Sequence, residues 1–339
     1  VRTADFDYDL PAELIAQEPA KPRDHSRLMS LDRKSGEISH HYFYELPDLL
    51  KPGDTLVLNE TRVLPARLKA QKIPGGGRVE LLLLRKQDQR NWQVMVGGKG
   101  LSEGRQLQLE NGLKATVVRE LDGPRRLVEF ELPIEDFLEE IGEMPLPPYI
   151  TKPLSDPDDY QTIFSSKPGS AAAPTAGLHF TEGVFNALAE RKIKTAFVTL
   201  HIGLDTFAPV RVDDPRQHRI HKEWCSLSDR TAEVINDTRQ RNGRIIAVGT
   251  TAVRTLESAA KNSEGTTLQA FEGSTDLFIL PGYSFRVVDA MITNFHLPRS
   301  TLLMLVSAFA SLESILKAYE CAKETGYRFY SFGDAMLIE

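Results

Sequence analysis

The chain has 339 residues, 41% hydrophobic and 26% charged, a mix typical of soluble globular proteins and too long for one ordinary core, so two domains are expected. No apolar run reaches the roughly 18 residues needed to span a bilayer, and the start Val1-Arg2-Thr3-Ala4-Asp5-Phe6-Asp7 lacks the apolar stretch of a signal peptide. The two cysteines, Cys225 and Cys321, sit in unrelated contexts and the net charge is −6, which argues against a disulfide framework and, taken as a whole, against a polyanion binder.

Residues 28–31, 40–44 and 55–58 are predicted as short strands. From residue 66 to 148 the texture is short strands at 79–84, 91–96, 106–109, 114–118 and 126–131. Glycine-rich turns separate them, Gly75-Gly76-Gly77, Gly97-Gly98, Asn111-Gly112 and Asp122-Gly123. Regular spacing with Asn-Gly and Asp-Gly turns predicts an antiparallel β-barrel or sandwich. Charge is uneven here. Residues 62–126 hold fourteen Lys/Arg and six Asp/Glu, so the remainder carries −14, and residues 129–143 hold seven acids and no base. Such asymmetry fits a polyanionic partner as well as a solvated barrel surface.

An acidic helix at 134–141 and a stiff Pro145-Leu146-Pro147-Pro148-Tyr149-Ile150 segment follow. Beyond it, strands alternate with helices. Thr181 can cap a helix to about residue 192, 195–201 is a strand, and Ser228 can cap a helix over 229–241. Residues 244–248 form a strand leading through Gly249-Thr250-Thr251 into a helix to residue 260. Strands are predicted at 277–280 and 285–291, helices at 299–311 and 312–324, and a last strand at 328–331. The expected fold is an α/β main domain, a mixed sheet covered by helices, split into 1–65 plus 149–339, with the β-barrel of 66–148 inserted.

Five stretches could carry chemistry. Pro174-Thr175-Ala176-Gly177-Leu178-His179-Phe180-Thr181-Glu182 places small residues and His179 before a helix start, where N–H groups can hold an anion and a neutral imidazole can act as a base. Thr199-Leu200-His201-Ile202-Gly203-Leu204-Asp205 is a strand end followed by an acid, the usual place for ligands in open α/β sheets. His218-Arg219-Ile220-His221-Lys222-Glu223-Trp224-Cys225 invites a metal reading, but no CxxC, HExxH or second cluster supports one, and a polar substrate pocket fits equally. In Val248-Gly249-Thr250-Thr251-Ala252-Val253-Arg254 the two hydroxyls and Arg254 could hold a carboxylate. Asn294-Phe295-His296-Leu297-Pro298 offers polar side chains and a ring in a loop before a helix. Each pattern also suits an ordinary capped turn. Neither a Walker A nor a GxGxxG pattern is present, which excludes the usual nucleoside-triphosphate and dinucleotide loops.

In their joint order these stretches resemble one family, the S-adenosylmethionine:tRNA ribosyltransferase-isomerases of queuosine biosynthesis. The resemblance includes Asp24-His25-Ser26-Arg27-Leu28-Met29, Asn59-Glu60-Thr61-Arg62-Val63, Leu146-Pro147-Pro148-Tyr149-Ile150 and Ser331-Phe332-Gly333-Asp334-Ala335-Met336-Leu337-Ile338, and covers nearly the whole chain. It implies transfer and isomerisation of the ribose of S-adenosylmethionine onto the 7-aminomethyl group of 7-deazaguanine at the tRNA wobble position, giving epoxyqueuosine-tRNA with release of adenine and methionine. It implies no cofactor and no metal, S-adenosylmethionine being a substrate. A cytoplasmic monomer that binds tRNA and no membrane is expected. His179, His201, His221 and His296, with Glu182, are the candidate proton-transfer groups, His179 first. Arg62, Tyr149, Thr175, Asp205, Glu223, Thr250, Thr251, Arg254, Asn294 and Phe295 are the candidate binding residues, with Tyr149 or Phe295 available to stack on an extruded base. Arg62, Arg67, Lys69 and Lys72 begin the candidate phosphate-binding surface. The alternative is an S-adenosylmethionine-dependent RNA methyltransferase, which calls for a glycine-rich turn after a first strand; none is visible. A non-catalytic RNA-binding module would not need four histidine-bearing polar turns, and a metal-dependent hydrolase lacks its ligand spacing.

Overall fold

The computed structural model describes residues 1–203 and 209–339. The chain forms two compact units, one made of Val1–Arg62, Pro148–Lys167 and Ala173–Glu339, the other of Val63–Pro147 and Pro168–Ala172.

The first unit is built on a nine-stranded mixed sheet. Its spatial order is Phe271–Thr275, Glu223–Leu227, Lys194–Leu200, Thr55–Asn59, Ile245–Val248, Ala290–Asn294, Ala335–Ile338, Arg27–Leu31 and Ile38–Tyr42. The four strands from Lys194–Leu200 to Ala290–Asn294 run parallel. The strands Thr55–Asn59, Ile245–Val248, Ala290–Asn294 and Ala335–Ile338 are buried along their whole length, as strands covered on both faces require. Thr55–Asn59, fully buried, lies between Lys194–Leu200 and Ile245–Val248. This pairing is why a unit interrupted in sequence folds as one body: its central strand comes from the N-terminal segment. Separate apolar clusters cover the two faces, one around Met29, Val57, Ala247, Leu256 and Phe295, the other around Leu28, Leu56, Phe180, Ile246 and Ile292. Successive residues of one strand alternate between them.

The caps anticipated from sequence are in place. Thr181 Oγ1 accepts from Val184 N at 3.3 Å at the head of Glu182–Glu190, and Ser228 Oγ accepts from Thr231 N at 3.2 Å at the head of Asp229–Gln240. Three expected strands are corrected. Residues 277–280 form no strand, and the strand expected at 285–291 is Ala290–Asn294. The strand expected at 328–331 is replaced by Ala335–Ile338, because Tyr330 has φ of 71°, which no extended strand tolerates.

The second unit is a closed antiparallel barrel of six strands, Arg67–Ile73, Arg78–Lys86, Asn91–Gly97, Arg125–Phe130, Lys114–Glu120 and Gln106–Leu109, shut by pairing of the last with the first. Its own core comes from the inward-facing alternate residues, among them Leu68, Leu81, Val94, Leu107, Val117 and Val128. Among the described residues no single helix is long and apolar enough to cross a membrane.

Candidate active site

Parallel strands end on one edge of the first unit's sheet, and there the chain turns at Asn59, Leu200, Val248 and Asn294. Two pockets open at this edge. The first, about 540 Å³, is lined by Tyr149, Thr175, Thr250, Thr251, Asn294 and His296, together with Tyr330 and Ser331. The second, about 660 Å³, is lined by Gly203, His218, His221, Glu223, Arg254 and Phe278. Leu302 lines both, so they are neighbours.

The helix Gly249–Asn262 joins them. It starts on Gly249 at φ of 84°, a left-handed conformation that turns the strand sharply into the helix. Its first turn gives Thr250 and Thr251 to the first pocket, and Arg254, one turn on, reaches the second. Arg254 is buried against Glu223. Its Nη1 donates to Glu223 Oε2 and its Nε to the Leu277 carbonyl at 3.1 Å, while Glu223 Oε1 accepts from Gly203 N at 2.8 Å. Thr251 Oγ1 and Arg254 Nη2 are buried with no hydrogen-bond partner among the described residues. Buried donors without partners are costly, so two such groups one turn apart, on pocket-lining residues, mark a place built to receive a polar ligand.

Asn294 ends its strand inside the first pocket. Its Nδ2 donates to His179 Nε2 at 3.3 Å and to the Tyr330 carbonyl at 3.1 Å, and Thr175 Oγ1 donates to its Oδ1 at 3.4 Å. With Nε2 accepting, the network leaves the His179 proton on Nδ1, which lies 2.7 Å from Ser26 Oγ. The His179 ring also stacks on Phe43, centroids 5.0 Å apart. Burial pushes its pKa down to about 3, with Arg328 and Arg23 adding to the effect. His296 is also buried, its Nε2 2.8 Å from Thr293 Oγ1, and burial pushes it down to about 3.

The structure therefore rearranges the expected site. His179 lies behind Asn294 rather than in the cleft, both ring nitrogens engaged, so it is not the solvent-facing base that the sequence suggested. The helix start beside it is filled from within, Thr181 Oγ1 donating to Asp24 Oδ2 at 2.7 Å. Glu182 is exposed and lines neither pocket. Phe295 lines the first pocket but is fully buried, its ring packed on Phe329, Tyr319 and Tyr327 at centroid distances of 4.8, 5.2 and 5.6 Å rather than presented for stacking. Tyr149 does line the first pocket, its hydroxyl 2.8 Å from Ser331 Oγ and its ring 4.8 Å from that of Tyr330. His201 lines neither pocket; it stacks on Trp224 at 5.1 Å and its Nδ1 lies 3.1 Å from Thr61 Oγ1, with burial lowering its pKa. Arg62 lies in the strand Thr61–Val63 and lines neither pocket. Asp205 falls outside the described residues. The cluster once open to a metal reading is divided. Cys225 is buried in the sheet, Glu223 is engaged by Arg254, and among the described residues no three His, Cys, Asp or Glu converge.

Sequence reasoning assigned no role to Ser26, Thr293, Tyr330 or Ser331, although Ser26 and Ser331 lie in segments that carry the family resemblance. Tyr330, a non-glycine residue at positive φ on the pocket wall, carries backbone strain of the kind that collects at functional sites, but strain leaves no mark in sequence.

Comparisons with known proteins agree on one family. A family model described as queuosine biosynthesis protein matches residues 3–338. A curated S-adenosylmethionine:tRNA ribosyltransferase-isomerase from Symbiobacterium thermophilum is 52% identical over 100% of both chains. One of the same description from Staphylococcus aureus is 48% identical over 98% of each. A crystal structure of an S-adenosylmethionine tRNA ribosyltransferase from Thermotoga maritima, 38% identical, superposes with a TM-score of 0.58 over 99% of this chain and 100% of that one.

Proposed function

Starting from the fact that the chain belongs to the S-adenosylmethionine:tRNA ribosyltransferase-isomerase family of queuosine biosynthesis, we propose that its two joined pockets hold S-adenosylmethionine and carry out the transfer. The chain is a tRNA-modifying transferase and isomerase, not a methyltransferase. It moves the ribose of S-adenosylmethionine onto the 7-aminomethyl group of a 7-deazaguanine in tRNA, with isomerisation of the sugar and release of adenine and methionine. The base sits at the wobble position of the tRNA, and the enzyme works as a cytoplasmic monomer without metal or redox cofactor.

The observation that carries the site assignment is the pair of buried donors on Thr251 and Arg254 that have no partner among the described residues. Arg254 presents a guanidinium to the second pocket and takes the amino-acid carboxylate, where a charge-assisted hydrogen bond is strongest. Thr250, Thr251 and Asn294 take the ribose hydroxyls and adenine edge in the first pocket, with Tyr149 as a wall. The donor thus runs past Leu302, its sulfonium near the junction. Glu223, held by Arg254 and Gly203 N, places negative charge on that cation's side of the cleft.

A sulfonium acidifies the neighbouring C5′ protons, and a base must remove one. Proton transfer works best when the acceptor's pKa lies near the operating pH. His179 and His296, both pushed to about 3, are neutral at pH 7 but weak acceptors, so they serve as hydrogen-bond partners that set Asn294 and Thr293. His221 is exposed, lines the second pocket beside Glu223 and Arg254, and is the proton acceptor. Its exposure lets the proton pass on to solvent.

The test is turnover with S-adenosylmethionine labelled separately in ribose and in methyl, on tRNA bearing the aminomethyl base, followed by nucleoside mass analysis. Ribose label in the nucleoside with free adenine is the expected result. A nucleoside carrying only the methyl label refutes it.

A further inference from the structure

The surplus of cations between residues 62 and 126 is not spread over the barrel; the fold sorts it by end. Strand pairing places three turns together. Gln71 pairs with Arg78, Lys72 with Leu107, Arg125 with Met95 and Arg126 with Glu120. The segments 72–78, 96–106 and 119–126 therefore share one rim. Hydrogen bonds join them: Lys72 Nζ donates to the Lys99 carbonyl at 3.0 Å and Arg126 Nε to the Leu101 carbonyl at 2.7 Å. These segments carry seven cations and three acids, a net +4. Lys72, Arg78, Lys99, Arg105 and Arg119 have no ion-pair partner among the described residues. Lys99 stands between Gly98 at φ of 124° and Gly100 at φ of 71°, a turn bare enough for another backbone to approach closely.

The opposite end is different. Residues 67–69, 84–91, 109–114 and 129–143 carry six cations and nine acids, a net −3. Four of those cations are spent internally: Arg67 on Glu80 at 2.6 Å, Arg90 on Glu129 at 2.7 Å, Lys69 on Glu143 and Lys86 on Glu135. Arg67 and Lys69, which the sequence put at the start of the phosphate-binding surface, are thus already neutralised.

We infer that the rim of Lys72, Arg78, Lys99, Arg105 and Arg119 is the barrel's binding surface for the phosphate backbone of tRNA, and that the acid-paired end takes no part. The inference rests on the tRNA-modifying function stated above. Phosphate contacts give affinity that falls with salt, about 0.7–0.9 of a log unit in affinity per log unit of salt for each phosphate neutralised, and they carry no sequence preference. The negative end repels the same backbone, so the barrel's charge distribution gives the tRNA one way to dock.

The test uses the full-length enzyme and an unmodified tRNA transcript, with affinity measured across salt concentrations. The variant Lys99→Glu/Arg105→Glu should bind more than tenfold more weakly at low salt, with a slope shallower by about 2, while its affinity for S-adenosylmethionine is unchanged. Lys69→Gln and Arg90→Gln at the other end should stay within about twofold of the parent. Lys99→Gln/Arg105→Gln, which adds no repulsion, should show the same slope change with a smaller loss, and serves if the reversal disturbs the barrel. Parent-like affinity and slope in both rim variants, or equal losses at the two ends, would overturn the inference. A parent enzyme that modifies no tRNA would instead remove the reading beneath it.

Discussion

His179 makes the stability of the first unit depend on pH in a way that can be worked out. Burial holds its folded pKa at about 3, against about 6.5 for a free histidine. The folded pKa is depressed, so the neutral ring is compatible with the fold and the charged ring is not. Stability is then fully present above the unfolded pKa and drains away as pH falls from 6.5 towards 3. At pH 7 about a quarter of the unfolded rings are protonated and at pH 5 nearly all, while the folded ring stays neutral at both. The difference amounts to about 2 kcal/mol lost between pH 7 and pH 5 from this residue alone. His179→Gln removes the titration and keeps a side chain able to bond Ser26 and Asn294. The two tryptophans, Trp92 in the barrel and Trp224 in the first unit, allow a clean reading, since Trp92→Phe leaves Trp224 fluorescence to report the first unit. Urea unfolding in that background at pH 7 and pH 5 should show the His179→Gln protein losing about 2 kcal/mol less than its parent over the interval. Equal losses in the two proteins would mean that His179 protonates within the fold, and the argument for an enclosed, weakly basic ring would fail.

Other outcomes follow from the same geometry. His221→Ala should lower turnover by about 100-fold or more with little change in S-adenosylmethionine binding; near-parental turnover would take the proton-acceptor role from it. Arg254→Met should raise KM for S-adenosylmethionine at least tenfold and also destabilise the fold by about 3 kcal/mol, because Glu223 is left buried without its cation. Adding Glu223→Gln should restore the stability and not the KM, and recovery of both would count against carboxylate recognition. Glu257, fully buried, accepts from Arg286 N, Val287 N and Val288 N at 2.9, 3.0 and 3.2 Å and from the Tyr283 hydroxyl at 3.1 Å. Its change to Gln should cost about 2–4 kcal/mol in urea unfolding, and an unchanged midpoint would show the segment holding itself. Gly243→Ala would put a Cβ 2.2 Å from the Gly53 carbonyl oxygen, so it should destabilise by about 1–3 kcal/mol; parental stability would mean the two turns part freely.

What sequence could and could not show follows from whether the cause is local. Thr181 and Ser228 announce their helices because a cap hydroxyl acts on the next turn of the same chain. The barrel strands were legible because each turn and each alternation of buried residues repeats on a short scale. The segment 285–291 looked like a strand by its apolar content, yet Arg286, Val287 and Val288 give their N–H groups to Glu257, a partner about thirty residues away. Glu223, Trp224 and Cys225 were read as the end of a polar cluster starting at His218, because their strand character depends on flanking strands from residues 194–200 and 271–275. Thr250, Thr251 and Arg254, singled out as polar groups at a helix start, and Asn294, singled out in a loop before a helix, all line the pockets, because a strand-to-helix turn is a local feature that sequence displays. Phe295 looked fully available in sequence because a ring beside polar residues gives no sign of the aromatic cluster that packs on it.

The role of His179 shows why that distinction matters for chemistry. Its position before a helix suggested a base, and the expectation that the ring would be neutral holds, since burial keeps it unprotonated at pH 7. Yet the enclosure that keeps it neutral also makes it a poor proton acceptor and commits both nitrogens. A neutral, doubly bonded imidazole is suited to something else: fixing the Asn294 amide so that Nδ2 points to His179 and Tyr330 and Oδ1 is left to Thr175 and the cleft. An amide free to flip would present donor and acceptor to a bound ligand by turns. The Tyr330 carbonyl, which can only accept, opposes the flip because it would then face an oxygen, and His179 Nε2 accepts from the same Nδ2. The residue singled out for chemistry thus joins the Tyr330 carbonyl in holding the polar face that Asn294 shows to the cleft.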